Sequence, residues 1–115
     1  MKKQTLGLAL CLSAGLWPLA AVAQAQPSAP TPTAQQRLYV MSLAATCANC
    51  HGTDGKAVAG SQVVSLAGLD QNYLVTQMQA FKAGTRPATV MHQISKGYSD
   101  SQIDSIATYF AAQKK

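Results

Sequence analysis

The sequence predicts an all-α domain, on three observations. Apolar residues recur at three- and four-residue spacing in four segments of this 115-residue chain. Two of those segments open on a good N-cap residue, Asp70 and Ser99. No segment alternates convincingly with period two; residues 62–66 come nearest.

Residues 1–23 stand apart from the rest. Lys2 and Lys3 precede an apolar run at residues 5–23, which closes on Ala21-Val22-Ala23. A positive start, an apolar middle and small residues at the end predict a cleaved signal peptide and a periplasmic product. Ala25 offers a second cleavage point. The rival is an uncleaved anchor, since the run is about long enough to cross a bilayer. Gly15, Pro18 and the small closing residues favour cleavage. Cys11 follows Leu10, which is too large for a lipoprotein signal, so it reads as an ordinary apolar residue of the leader.

Residues 24–33 (QAQPSAPTPT) carry no hydrophobic period and read as an extended linker. The domain is expected at residues 34–115. Without Lys2 and Lys3, seven basic residues of the nine face four acidic ones, a net charge of +3. The positive charges are scattered, which excludes nucleic acid as a partner. Without its leader the chain has no membrane span. Only Cys47 and Cys50 remain as cysteines. A core of this size is marginal without a staple, metal or cofactor.

The first helix is expected from Ala34 through Cys50, with Leu38, Met41 and Ala45 on its apolar face. A Gly-rich loop follows at residues 52–69, long enough to suggest function. The second helix is expected at residues 71–83, between the Asp70 cap and Gly84, with Leu74, Met78 and Phe81 on one face. A short third helix is expected at residues 89–96, ended by Gly97. The fourth begins with a Ser99/Gln102 capping box. In it Ile103, Ile106, Ala107 and Phe110 repeat at helical spacing, and Tyr98 can staple to Ile103.

The stretch TCANCHGTDG holds Cys47, Cys50 and His51, spaced C-x-x-C-H. In an exported chain this predicts covalent attachment of one haem c. On a helix the three residues share a face, so two thiols meet a haem edge and His51 can bind the iron. Ala48 and Asn49 are spacers. Three other readings compete. A structural disulfide is compatible with export. A redox C-x-x-C belongs with a βαβ pattern that is missing here. A closed zinc site needs a fourth ligand, and only His92 remains as a strong donor.

A methionine in the sixth position suits electron transfer. Met41 shares the helix of the motif and cannot easily reach the opposite haem face. Met78 repeats with core residues. Met91, forty residues after His51, follows an irregular stretch that lets the chain wrap round. Met91 is therefore the expected distal ligand. His92 is the rival, read as facing solvent on the third helix.

With its attachment motif near the start, a late methionine and a final helix ending in Tyr109-Phe110, the chain resembles the class I c-type cytochromes. VMHQISKGYSD and FKAGTRP are similar to the haem domain of flavocytochrome c sulfide dehydrogenase subunits. The resemblance implies that the first and last helices cross and pack beside the haem. It implies His51 and Met91 as axial ligands, and electron transfer with a flavoprotein sulfide dehydrogenase. Relatives often carry a proline near residues 64–66, whose carbonyl orients the ligand imidazole. No proline lies between His51 and Arg86 here, so another carbonyl must serve.

The function expected is single-electron transfer by a periplasmic carrier rather than an enzyme. A haem enzyme or ligand sensor with an open sixth position, and a non-haem dithiol protein, are the alternatives. Arg86 is a candidate partner for a haem propionate or a solvated loop residue. Tyr98 is a candidate hydrogen-bond partner for a propionate, but its staple role already explains it. Lys56, Lys82 and Lys96 could form a basic docking rim, but read mainly as surface charges. Gly55-Lys56-Ala57 lacks the hydroxyl residue and strand of a phosphate loop.

Overall fold

Thr33 opens the first helix in the computed structural model of this chain, which describes residues Thr31–Lys115. The expected leader at residues 1–23 and most of the expected linker lie outside the described residues. The Thr33 hydroxyl accepts from Gln36 N–H at 3.2 Å, and Gln36 Oε1 accepts from Thr33 N–H at 2.7 Å. This reciprocal box satisfies two donors that a helix start otherwise leaves open.

Helix α1 spans Ala34–Ala45 rather than running on to Cys50. It tightens at Thr46, whose hydroxyl and N–H both turn back to the Leu43 carbonyl, at 2.7 and 3.3 Å. Such back-bonding competes with the regular helical ladder. Helix α2, Ala48–His51, resumes immediately. The face of α1 also differs from expectation. Leu38 is 61% exposed and Met41 52%, whereas Ala44 is buried at 3%. Ala44 belongs to the core cluster with Ile106, Ala107 and Phe110, and a methyl-sized side chain there lets α1 and the last helix approach closely.

A short 3-10 turn, Thr53–Gly55, starts the long loop. Its hub is the Gly55 carbonyl, which accepts from Leu66 N–H (2.7 Å), Ala67 N–H (3.1 Å) and the Ser65 hydroxyl (2.8 Å). Gly55 has φ +77°, and a Cβ there would stand 2.7 Å from Phe110 Cδ1. Both backbone and packing therefore require glycine. Among the described residues no strand forms, including at 62–66.

Helix α3, Gln71–Ala83, begins at Asp70, whose carboxylate accepts from Tyr73 N–H at 2.8 Å. It ends at Gly84 in the left-handed region, φ +76°. Helix α4, Met91–Ile94, is a single turn continued by a 3-10 turn at Ser95–Gly97. Helix α5, Asp100–Ala111, opens on the Ser99/Gln102 box. Gln102 spends its carbonyl on Ser99 N–H (2.9 Å) and its amide N–H on the Tyr39 hydroxyl (2.7 Å), which joins α5 to α1.

Helix α5 packs against both α1 and α3. Ile103, Ile106, Ala107 and Phe110 are all buried, so its apolar stripe is the centre of the core. Lys82 has partners within the fold. Its ammonium donates to the Tyr98 carbonyl (2.8 Å) and to Asp100 Oδ1 (2.7 Å), fastening the end of α3 to the start of α5. The Lys82 bond to the carboxylate, a bond from Gln79 and the Lys82 charge hold the Asp100 carboxyl below its usual range.

Candidate haem-binding site

The motif folds as one helical turn. Cys50 and His51 N–H both donate to the Cys47 carbonyl, at 3.2 and 2.9 Å. The side chains of Cys47, Cys50 and His51 all line one cavity, while the spacers Ala48 and Asn49 do not. Gly52 then releases the chain at φ +81°, where any Cβ would strike the Lys56 carbonyl oxygen.

The cavity has a volume of about 560 Å³, within the roughly 300–1,000 Å³ of cofactor sites. Its wall is mainly apolar: Val63 and Val64 from the loop, Leu74, Met78 and Phe81 from α3, and residues of α4 and α5 complete it. The apolar stripes expected on α3 and α5 thus face both the core and this cavity.

His51 Nδ1 stands 2.7 Å from the Val64 carbonyl. A carbonyl oxygen only accepts, so Nδ1 carries the proton and Nε2 keeps its lone pair for a metal. Val64 therefore supplies the acceptor that the missing proline left open. Burial pushes the Cys47 thiol pKa up, against the lowering effect of its bond with Thr46. Cys47 is half-buried and Cys50 exposed, and the two form no disulfide with each other.

Met91, the first residue of α4, lines the same cavity as His51. Its carbonyl accepts from the buried Ser95 hydroxyl at 2.7 Å. Met41 faces a separate small hollow beside Tyr109. Met78 is not simply core: it is half-buried and stands on the cavity wall as well. His92 does not line the cavity. It is not solvent-facing either, because α4 packs against α3 and leaves His92 Nδ1 buried and unpartnered.

Two residues unremarked in the sequence also shape the wall. Thr46 gives its proton to Leu43, so the Tyr98 hydroxyl donates to Thr46 Oγ1, at 2.6 Å. That bond ties the residue before Cys47 to the segment before α5, and it commits the Tyr98 proton. Gln77 accepts from Arg86 Nη1. Its position between Leu74 and Phe81 on the helical stripe was the available signal: a polar residue interrupting an apolar face.

Two thiols and a tautomer-fixed imidazole on one apolar cavity suit a haem, which needs thioether attachment, an axial nitrogen and a hydrophobic cover. Among the described residues no three His, Cys, Asp or Glu side chains converge as a metal site, so the zinc reading finds no ligand set. No helix among the described residues is long and apolar enough to cross a membrane.

Fold and cavity define a small helical haem-binding protein. The family model for cytochrome c matches residues 36–114, and the chain belongs to the cytochrome c family. It is 39% identical over 84 residues to the cytochrome subunit of sulfide dehydrogenase from Chlorobaculum tepidum, covering 73% of each chain. It is 34% identical over 101 residues to the thiosulfate dehydrogenase electron acceptor of Stutzerimonas stutzeri, covering 84% of this chain and 47% of that one. It is 38% identical over 80 residues to cytochrome c4 of Azotobacter vinelandii, covering 62% and 38%. The chain thus spans less than half the length of the last two. It is an electron carrier of a family that holds haem c covalently, Cys47 and Cys50 have the spacing of the attachment motif, and its relatives point to redox partners.

Proposed function

We propose that the chain is a periplasmic single-electron carrier whose iron is held by His51 and Met91, and that its donor is a flavoprotein sulfide dehydrogenase. The observation that carries the ligand assignment is the 2.7 Å bond from His51 Nδ1 to the Val64 carbonyl, which leaves Nε2 as the only ligating nitrogen of that ring. Met91 on the wall of the same cavity supports the second ligand. The bound haem supplies one reversible electron at its iron.

The chain's own residues do the rest. Cys47 and Cys50 fix the group, Val64 sets the His51 tautomer, and the valines and leucines of the wall exclude water. A thioether ligand stabilises the reduced iron and closes the site to exchange. The leader pattern at residues 1–23 supports export. The sulfide dehydrogenase subunit of Chlorobaculum tepidum, matched over 73% of both chains, supports the partner class.

Two experiments test this. Carbon monoxide should leave the spectrum of the reduced holoprotein unchanged; ready binding would show an open sixth position. Pull-down from periplasmic extract should recover a flavoprotein that reduces the holoprotein when sulfide is added. A deletion strain with normal sulfide oxidation would remove the sulfide assignment and leave the carrier role standing.

A further inference from the structure

We infer that Tyr109 is a positioning residue for the His51 imidazole, acting through Asp54 and the turn that follows the attachment motif. The inference rests on the reading of His51 as an iron ligand. Two consecutive residues of α5 meet two consecutive residues of that turn. The Tyr109 hydroxyl donates to Asp54 Oδ1 at 2.6 Å. The Phe110 ring lies against Gly55, where a Cβ would stand 2.7 Å from Cδ1. The two rings meet edge to face with centroids 5.2 Å apart, so Phe110 also steadies the phenol. Tyr109 faces the small hollow beside α1 and does not line the cavity that holds Cys47, Cys50, His51 and Met91. Its influence on the ligand therefore runs through backbone.

Asp54 needs that hold. Among the described residues it is the only non-glycine with a positive φ, at φ +53° and ψ +25°. A Cβ in this left-handed region crowds the following carbonyl. Glycine would take the conformation freely. Aspartate takes it and adds a carboxylate for Tyr109 to grip. The strained residue immediately precedes Gly55, whose carbonyl accepts from the Ser65 hydroxyl, Leu66 N–H and Ala67 N–H. The next residue back along that segment is Val64, whose carbonyl takes the His51 Nδ1 proton at 2.7 Å. Without the Tyr109 hydroxyl the Asp54 backbone is free to relax, and the Gly55 carbonyl turns with it. The three bonds to that carbonyl loosen, and the Val64 carbonyl moves off the imidazole. The bond at Nδ1 sets how strongly the ring donates through Nε2.

The test uses the purified holoprotein and three readouts: amide exchange at Leu66 and Ala67, the hyperfine-shifted ring resonances of His51, and the reduction potential. Tyr109→Phe removes the hydroxyl and keeps the ring on Phe110. Exchange at Leu66 and Ala67 should quicken about three- to tenfold, the effect of losing one ordinary hydrogen bond. The His51 resonances should move and the potential should rise, because an imidazole with a weaker Nδ1 bond is a poorer donor to ferric iron. Combining Tyr109→Phe with Asp54→Gly should bring all three readouts back toward the parent, because glycine holds the turn without a clamp. A merely structural Tyr109 would lower the thermal midpoint and leave the His51 resonances and the potential alone, and that result overturns the proposal. Failure of the added glycine to restore them overturns it as well. If Tyr109→Phe does not fold, Asp54→Asn decides. It keeps an acceptor and loses the charge, so the His51 resonances should move part of the way, and unmoved resonances overturn the proposal. A parent with no hyperfine-shifted His51 resonances would instead overturn the ligand reading, and this inference with it.

Discussion

His51 Nδ1 donates to the carbonyl of Val64 at 2.7 Å, across thirteen residues of loop. The acceptor is backbone, so its position depends on how the loop is tied down rather than on the side chain at residue 64. Three donors from residues 65–67 converge on the Gly55 carbonyl one step further along. Gly55 in turn lies against Phe110, at the centre of the core. The imidazole tautomer is thus coupled to the last helix through one glycine.

Gly55→Ala tests this chain of contacts. The new methyl group meets Phe110 at 2.7 Å and sits at a left-handed φ. The expected cost is about 1–3 kcal/mol, read by denaturant unfolding. Because Val64 moves with the 65–67 segment, the hyperfine-shifted proton resonances of His51 should move as well. A destabilised variant with unchanged His51 resonances would separate the loop from the ligand.

Removing the haem should nearly unfold the domain. Among the described residues seven apolar side chains are buried, and three of them are alanines. A core this small supplies at most about 3–5 kcal/mol, and the cavity opens its main apolar wall to water. The doubly substituted chain, Cys47→Ser with Cys50→Ser, should lose the cooperative transition seen by circular dichroism. A sharp transition near the parent midpoint would contradict the account.

Tyr109 should be the last tyrosine to ionise. Its hydroxyl donates to Asp54 Oδ1 at 2.6 Å, and the phenol is pushed up to about 12, mainly by that bond. The folded pKa exceeds the unfolded value of about 10. The contribution to stability is therefore full below pH of about 10 and is lost as pH rises through about 12. Ultraviolet titration should show one late phenol. Asp54→Ala should bring it back toward the ordinary value by removing the acceptor together with its charge.

Helices α3 and α5 were legible because each start carries a side-chain oxygen that caps the backbone, and each stripe faces one packed side. The face of α1 was not. Leu38, Tyr39, Val40, Met41, Leu43, Ala44 and Ala45 surround that helix, so spacing alone selects no side. The small Ala44 rather than the large Leu38 turned inward because α5 packs there. The break at Thr46 came from a hydroxyl bond that helical spacing does not encode. Cys47, Cys50, His51 and Met91 were singled out by residue type and separation, and the structure brings all four to one cavity. Val64 was not legible, because a carbonyl acceptor is shared by every residue and only the fold selects one.

The ligand set is tested most directly by the weak long-wavelength charge-transfer band of the ferric holoprotein, which reports a methionine sulfur on the iron. Met91 and Met78 both stand on the cavity wall, and Met41 does not. The parent, Met78→Leu and Met41→Leu should all show the band, and Met91→Ala should lack it. A band that survives in Met91→Ala, or disappears in Met78→Leu alone, would contradict the assignment of Met91.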